Sequence, residues 1–260
     1  MSDAVTPIRP AATVLLLRDE PAFEVLMVRR HHQIDFVPGA MVFPGGKTHA
    51  GDHHPRWAER CIGWAGTPET ERPLRIAAIR EAYEEAGLLI ARRGDGEPFP
   101  GDERAQEARA AVAKDERSFL DVVELLDLRL DLEALTLFAR WITPDIGPKR
   151  FDTWFYVARA ASDQLAVCDG WETVEAEWIS PKQALQLAAA GEREVIFPTR
   201  MNLKLLAEAG GVEDAIVRAA ARPVVVVEPW LERRADGPVL VIPTDAGYGE
   251  VIEPLSALGL

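Results

Sequence analysis

The 260-residue chain is predicted to fold as an α/β (α+β) domain, and three observations carry that prediction. Residues 12–18 and 23–30 are apolar, β-branched-rich runs separated only by Asp19-Glu20-Pro21-Ala22, which is a strand–turn–strand pattern. Residues 74–90 have helical periodicity, with Pro73 at the start and Gly87 near the end. Strand-type and helix-type runs then alternate through the rest of the chain. Because the first connection is too short to cross over between parallel strands, a purely parallel, doubly wound sheet is disfavoured.

Each element follows in order. Residues 1–10 hold two prolines and read as an arm leading into the fold. A short apolar run over 36–43 stops at Pro44-Gly45-Gly46, where flexible backbone can approach a ligand closely. Residues 51–73 are rich in His, Pro, Gly and charge, yet Trp57 and Trp64 predict a packed short helix there. After the helix at 74–90, residues 94–102 form a Gly/Pro loop and 103–128 one or two amphipathic helices. Strands are expected at 136–142, 151–158 and 176–179, and Ser180-Pro181 caps and opens a helix over 181–190. Helices at 199–209 and 212–221 precede strand runs at 224–227 and 239–242, around a turn at Asp236-Gly237-Pro238. These last runs are candidates for extending the sheet or for pairing with a second copy in a homodimer. With no internal repeat and no low-complexity linker, residues 1–260 read as a single domain.

Composition narrows the function. Hydrophobic residues make up 48% and charged residues 27%, a globular balance. With 29 Lys+Arg against 42 Asp+Glu the formal charge is −13, which argues against nucleic-acid or anionic-membrane partners. A phosphate-bearing substrate stays open if a bound cation reverses the sign locally. Cys61 and Cys168 cannot form a disulfide scaffold or a zinc site by themselves, the N-terminus lacks a signal-peptide pattern, and no apolar run approaches 18 residues. The expectation is a soluble, cytoplasmic protein.

The chemistry concentrates in Arg80-Glu81-Ala82-Tyr83-Glu84-Glu85-Ala86-Gly87. On a helix Glu81 stands at i,i+3 from Glu84 and at i,i+4 from Glu85, so the carboxylates crowd one side. Ile76, Ile79, Tyr83, Ala86 and Ile90 take the other. Like charges so spaced repel by roughly 0.2–0.5 kcal/mol per pair on an exposed helix. A merely solvated face would mix Lys with its Glu, and this face has none. Clustered hard oxygens suit Mg²⁺ or Mn²⁺, which keep waters and bridge to substrate phosphates. His49, His53 and His54 beside Asp52 lack the helical spacing of a zinc site.

Arg80-Glu81 through Gly87 resembles the second half of the Nudix box, Gly-x5-Glu-x7-Arg-Glu-U-x-Glu-Glu-x-Gly-U, where U is apolar. The first half starts at Gly46, Asp52 stands where the pattern has Glu, and 27 residues (53–79) replace the usual seven. With the preceding Thr-Val-Leu-Leu-Leu-Arg-Asp, Val-Leu-Met-Val-Arg-Arg and Phe-Val-Pro-Gly-Ala-Met-Val-Phe-Pro-Gly-Gly, the enlarged box resembles the subgroup that includes the peroxisomal coenzyme A diphosphatases. The likeness spans about 11–181, leaving 182–260 as a C-terminal extension. It implies a Nudix-type α/β/α sandwich with a mixed sheet, an insertion inside the box, and extra helices and strands at the C-terminal end. It also implies metal-dependent hydrolysis of the diphosphate linkage in a nucleoside diphosphate joined to another moiety, such as coenzyme A or a related dinucleotide. The alternatives are a nucleoside triphosphate pyrophosphohydrolase and a non-catalytic nucleotide-binding regulator.

By the same resemblance Glu81, Glu84 and Glu85 hold Mg²⁺ or Mn²⁺, and Arg80 orients an acid by pairing, with Asp52 as its natural partner. Gly45 and Gly46 shape the phosphate loop, and Arg30, with Arg29, His31 and His32 beside it, is the candidate contact to substrate phosphate. Glu172 and Glu175, before a strand, are the candidates for general base. The last residues, Ala-Leu-Gly-Leu, do not match a peroxisomal Ser-Lys-Leu signal, so that location is not inherited.

Overall fold

The first two runs pair as expected. In the computed structural model, β1 (Ile8–Arg18) and β2 (Glu24–Arg30) lie antiparallel, Leu17 opposite Val25. The structure describes residues 6–31, 39–146, 149–161, 164–168, 173–235 and 237–254. Of the expected arm, residues 8–10 already belong to β1, because a parallel partner strand reaches out to cover them.

β3 (Met41–Val42) pairs with β2, and β4 (Gly45–Lys47) lies antiparallel to β1, Gly45 opposite Thr13. The diglycine is therefore a strand and not the free loop expected of it. The backbone of β1 supplies partners there, and the Val14 N–H donates to the Pro44 carbonyl at 2.9 Å. Gly45 has no room for a side chain, since a Cβ would stand 2.6 Å from the Ala12 carbonyl oxygen.

The insertion packs. It follows a short turn at Ala50–His53 and holds α1 (Trp57–Arg60) and β5 (Cys61–Ile62), and Trp57 is fully buried. The central helix α2 (Arg72–Ala86) has Pro73 in its first turn. It ends at Gly87, whose φ of 73° is the left-handed conformation that glycine adopts without penalty. Residues 88–90 therefore leave the helix that periodicity extended through them, and Leu88 and Leu89 turn into the core.

β6 (Ala91–Arg92), α3 (Glu103–Ala113), α4 (Phe119–Leu125) and β7 (Arg129–Asp131) follow. β5, β7 and β6 make a small sheet of their own, not foreseen from strands this short. β8 (Thr136–Ile142), β9 (Arg150–Arg159) and β10 (Thr173–Ile179) complete the main strands. Next come α5 (Pro181–Ala189), with the Ser180 hydroxyl accepting from the Gln183 N–H, then α6 (Phe197–Leu206) and α7 (Val212–Ala221). In the tail, β11 (Val226–Val227) joins the edge of β8. β12 (Trp230–Arg234), β13 (Gly237–Val241) and β14 (Ile252–Pro254) form a separate sheet.

The main sheet runs β10-β2-β1-β9-β8-β11, with β1–β9 and β8–β11 parallel and the other neighbours antiparallel. Side chains of β1 alternate between two cores. Ala12, Val14 and Leu16 pack with α2 and α4, while Leu15 and Leu17 pack with α6 and α7. Helices thus cover both faces, giving a three-layer α/β/α sandwich. Among the described residues no helix is long and apolar enough to cross a membrane.

Candidate active site

The apolar residues of α2 face the sheet, and the turn at 50–53 and strand β4 lie against its acidic side. Arg80 stands at the centre with 3% of its surface exposed. Its Nε donates to Asp52 Oδ1 at 3.0 Å and its Nη2 to Asp52 Oδ2 at 3.2 Å, a two-pronged grip across the 27-residue insertion. The same guanidinium reaches Glu81 Oε1 at 2.8 Å, Glu84 Oε2 at 3.0 Å and the Lys47 carbonyl at 2.8 Å. Asp52, 2% exposed, also accepts from the His49 backbone N–H at 2.7 Å, which closes the turn. Although Asp is one methylene shorter than Glu, the turn brings its carboxylate within reach of Arg80.

The diglycine meets the helix directly. The Gly45 N–H donates to Glu85 Oε2 at 3.1 Å. A Cβ at Gly46 would stand 2.4 Å from Glu81 Oε1, so only glycine lets that carboxylate lie against the strand. Glu81 and Glu85 are buried and Glu84 is half-buried. Two residues that spacing could not single out hold the helix end. The Arg109 Nε donates to the Glu84 carbonyl at 3.0 Å, and the Thr173 hydroxyl donates to the Glu85 carbonyl at 3.0 Å. Both lie far along the chain from α2 and carry no motif, so only the fold reveals them.

The electrostatics are unbalanced in the negative direction. One guanidinium faces Asp52, Glu81 and Glu84. Burial pushes the Glu84 carboxyl up to about 8; Arg80 pulls it down, and Glu81 adds to the rise. His49 is held below the usual imidazole value, first by burial and then by Arg80. Among the described residues no three His, Cys, Asp or Glu side chains converge in a ready-made metal cage. The donor chemistry nevertheless fits a hard divalent cation. Neighbouring carboxylates carry excess negative charge in a partly buried place, and a cation that keeps most of its waters needs only a few of them.

Arg30 lies opposite Thr173 in the β2–β10 pairing and so near the Glu85 carbonyl. Its Nε is buried without a hydrogen-bond partner among the described residues. Glu175, a candidate base, is held in an ion pair. Strand β10 is irregular between Thr173 and Glu175, and Glu175 pairs with Arg29. Ala176 and Trp178 pack toward α2, whereas Ile179 packs in the other core, so the alternation directs Glu175 away from the glutamates. Glu172, the other candidate base, and His32 lie outside the described residues.

Comparison with known proteins identifies the family. The model of the NUDT19 Nudix domain family matches residues 65–203, more than half of the chain. The acyl-coenzyme A diphosphatase NUDT19 of Homo sapiens is 29% identical over 289 residues, covering 93% of this chain and 77% of the relative. Its counterpart in Gallus gallus is also 29% identical, over 93% of this chain and 80% of the relative. The crystal structure of a Nudix hydrolase from Alicyclobacillus acidocaldarius superposes with a TM-score of 0.74 at 30% identity, over 82% of this chain and 97% of that one. Nudix hydrolases generally need divalent metal ions. Gly45, Gly46 and Asp52 precede the family match, and the fold returns them to the Glu81–Glu85 turn within it. The chain belongs to the Nudix hydrolases, within the NUDT19 Nudix domain family.

Proposed function

We propose that this protein uses Mg²⁺ or Mn²⁺ to hydrolyse the diphosphate bond of coenzyme A or an acyl-coenzyme A, releasing two phosphate-containing products. The observation that carries the proposal is the contact of Gly45 and Gly46 with Glu85 and Glu81. It sets acidic donors beside strand backbone, where a bridging diphosphate can lie. The names of the relatives supply the substrate class.

A divalent ion bound there would neutralise phosphate charge and acidify the attacking water. Glu81, Glu84 and Glu85 would hold it. Arg80 acts as a positioning residue: its bonds to Asp52 and the Lys47 carbonyl fix the guanidinium, which in turn fixes Glu81 and Glu84. Arg109 and Thr173 bind backbone carbonyls of the last helical turn and so hold Glu84 and Glu85 in register with the diglycine. Arg30, whose Nε has no hydrogen-bond partner among the described residues, is the candidate contact to a phosphate oxygen.

The test is a metal-replete screen over coenzyme A, acyl-coenzyme A, ADP-ribose, NADH, sugar nucleotides and nucleoside triphosphates, with products identified by mass. Cleavage of the coenzyme A compounds, abolished by EDTA, is expected. Glu84→Gln should reduce kcat by at least about 10²-fold, as for loss of an electrostatic or acid–base group. Turnover of triphosphates alone would replace this proposal with pyrophosphate release. Unchanged turnover by the Glu84 variant would remove the assigned metal site.

A further inference from the structure

Just beyond the last turn of α2, the protein exposes aliphatic side chains on a backbone that is firmly held. Gln164 clamps the segment 164–168: its side-chain oxygen accepts from the Leu89 N–H at 2.7 Å, and its Nε2 donates to the Leu89 and Phe99 carbonyls at 2.9 and 2.7 Å. The Val167 N–H donates to the Ala86 carbonyl at 2.9 Å, one residue from Glu85. Ala166 packs into the core beneath, while Leu165 and Val167 on either side of it are 80% and 52% exposed. Val174 is 36% exposed at the irregular step of β10, next to Thr173 and its bond to the Glu85 carbonyl.

A frayed loop shows apolar residues by accident, and single ones need no explanation. This backbone is fastened by four hydrogen bonds, one of them to the carbonyl next to Glu85 in the chain. The residue types also select the occupant. Leu165, Val167 and Val174 offer no ring for stacking on a base and no charge or donor for a sugar or phosphate. They suit a branched aliphatic group attached close to the diphosphate. In coenzyme A the pantetheine arm begins with such a group, a carbon bearing two methyls one methylene beyond the phosphate ester oxygen.

We infer that Leu165, Val167 and Val174 form an aliphatic shelf that seats the pantetheine arm and makes the enzyme prefer coenzyme A-type diphosphates to sugar-linked ones. This rests on the diphosphatase function proposed above. An apolar contact of this size contributes about tenfold or more in discrimination.

The experiment compares kcat/KM for coenzyme A with kcat/KM for ADP-ribose, in the wild-type protein, in Leu165→Ser/Val167→Ser and in Val174→Ser. Both substrates carry adenosine diphosphate; coenzyme A adds a 3′-phosphate as well as the arm, so dephospho-coenzyme A, which lacks that phosphate, is run beside them to isolate the arm. The ratio should fall about tenfold in the double variant, mainly through KM for coenzyme A, and Leu165→Met/Val167→Ile should restore it. These side chains lie on the surface, and thermal melts check that the variants fold. A ratio unmoved in both serine variants overturns the shelf while leaving the diphosphatase function standing. Failure of the wild-type protein to cleave any coenzyme A compound overturns that function and the shelf with it.

Discussion

The residue on which the site turns is Glu84. Without a metal its carboxyl is pushed from an ordinary 4.5 up to about 8, chiefly by burial. The folded protein therefore keeps a proton that the unfolded chain releases at lower pH. This contribution to stability is complete below the ordinary carboxyl value and is lost as pH rises through about 8. A divalent cation takes the deprotonated form, so its stabilising effect grows in the same window. Added Mg²⁺ should raise Tm more at about pH 9 than at about pH 6, and Glu84→Gln should flatten the difference. Calorimetry with Mg²⁺ and with EDTA reads both; an equal rise at the two pH values in the wild-type protein would place the cation elsewhere. The glutamates and Arg80 were legible in the sequence because a helix turns spacing into proximity. Arg109, Thr173 and the outward turn of Glu175 were not, since each depends on which strand face or neighbouring helix meets α2.

At the scale of elements, the C-terminal end of α2 is the sensitive point. Gly87 adopts a φ of 73°, and a Cβ there would meet the Arg109 and Gln106 side chains at 3.1 Å. Gly87→Ala should cost about 1–2 kcal/mol of stability through left-handed strain. It should also reduce kcat, because Arg109 would be pushed from the Glu84 carbonyl. Urea unfolding and steady-state kinetics on one preparation measure both, and a stability loss without a change in kcat would make Arg109 purely structural. Pro73 and Gly87 marked this helix in the sequence because each acts through its own backbone. The diglycine misled for the same reason. Glycine announces freedom locally, yet here it serves close approach, and the partners that demand it, Ala12, Thr13 and Glu81, are remote in the chain. The small sheet of β5, β6 and β7 escaped notice because strands of two or three residues carry no period.

For the whole molecule, the C-terminal extension is fastened to the sandwich and is no loose appendage. The Tyr248 hydroxyl donates to Asn202 Oδ1 of α6 at 2.7 Å and accepts from Trp141 Nε1 of β8 at 3.1 Å. Tyr248→Phe leaves both partners unsatisfied and should destabilise the entire domain by about 1–3 kcal/mol, with kcat unchanged. A single cooperative transition shifted to lower temperature is the expected melt, and an early separate transition would show an independent tail. The centre of the main sheet has a consequence for how the chain is made. Strand β1 leaves the ribosome well before its parallel neighbour β9, which follows only after some 130 further residues. Until then the bare edge of a Leu-rich strand waits in the nascent chain, so synthesis must outrun clumping or enlist a chaperone to shield it.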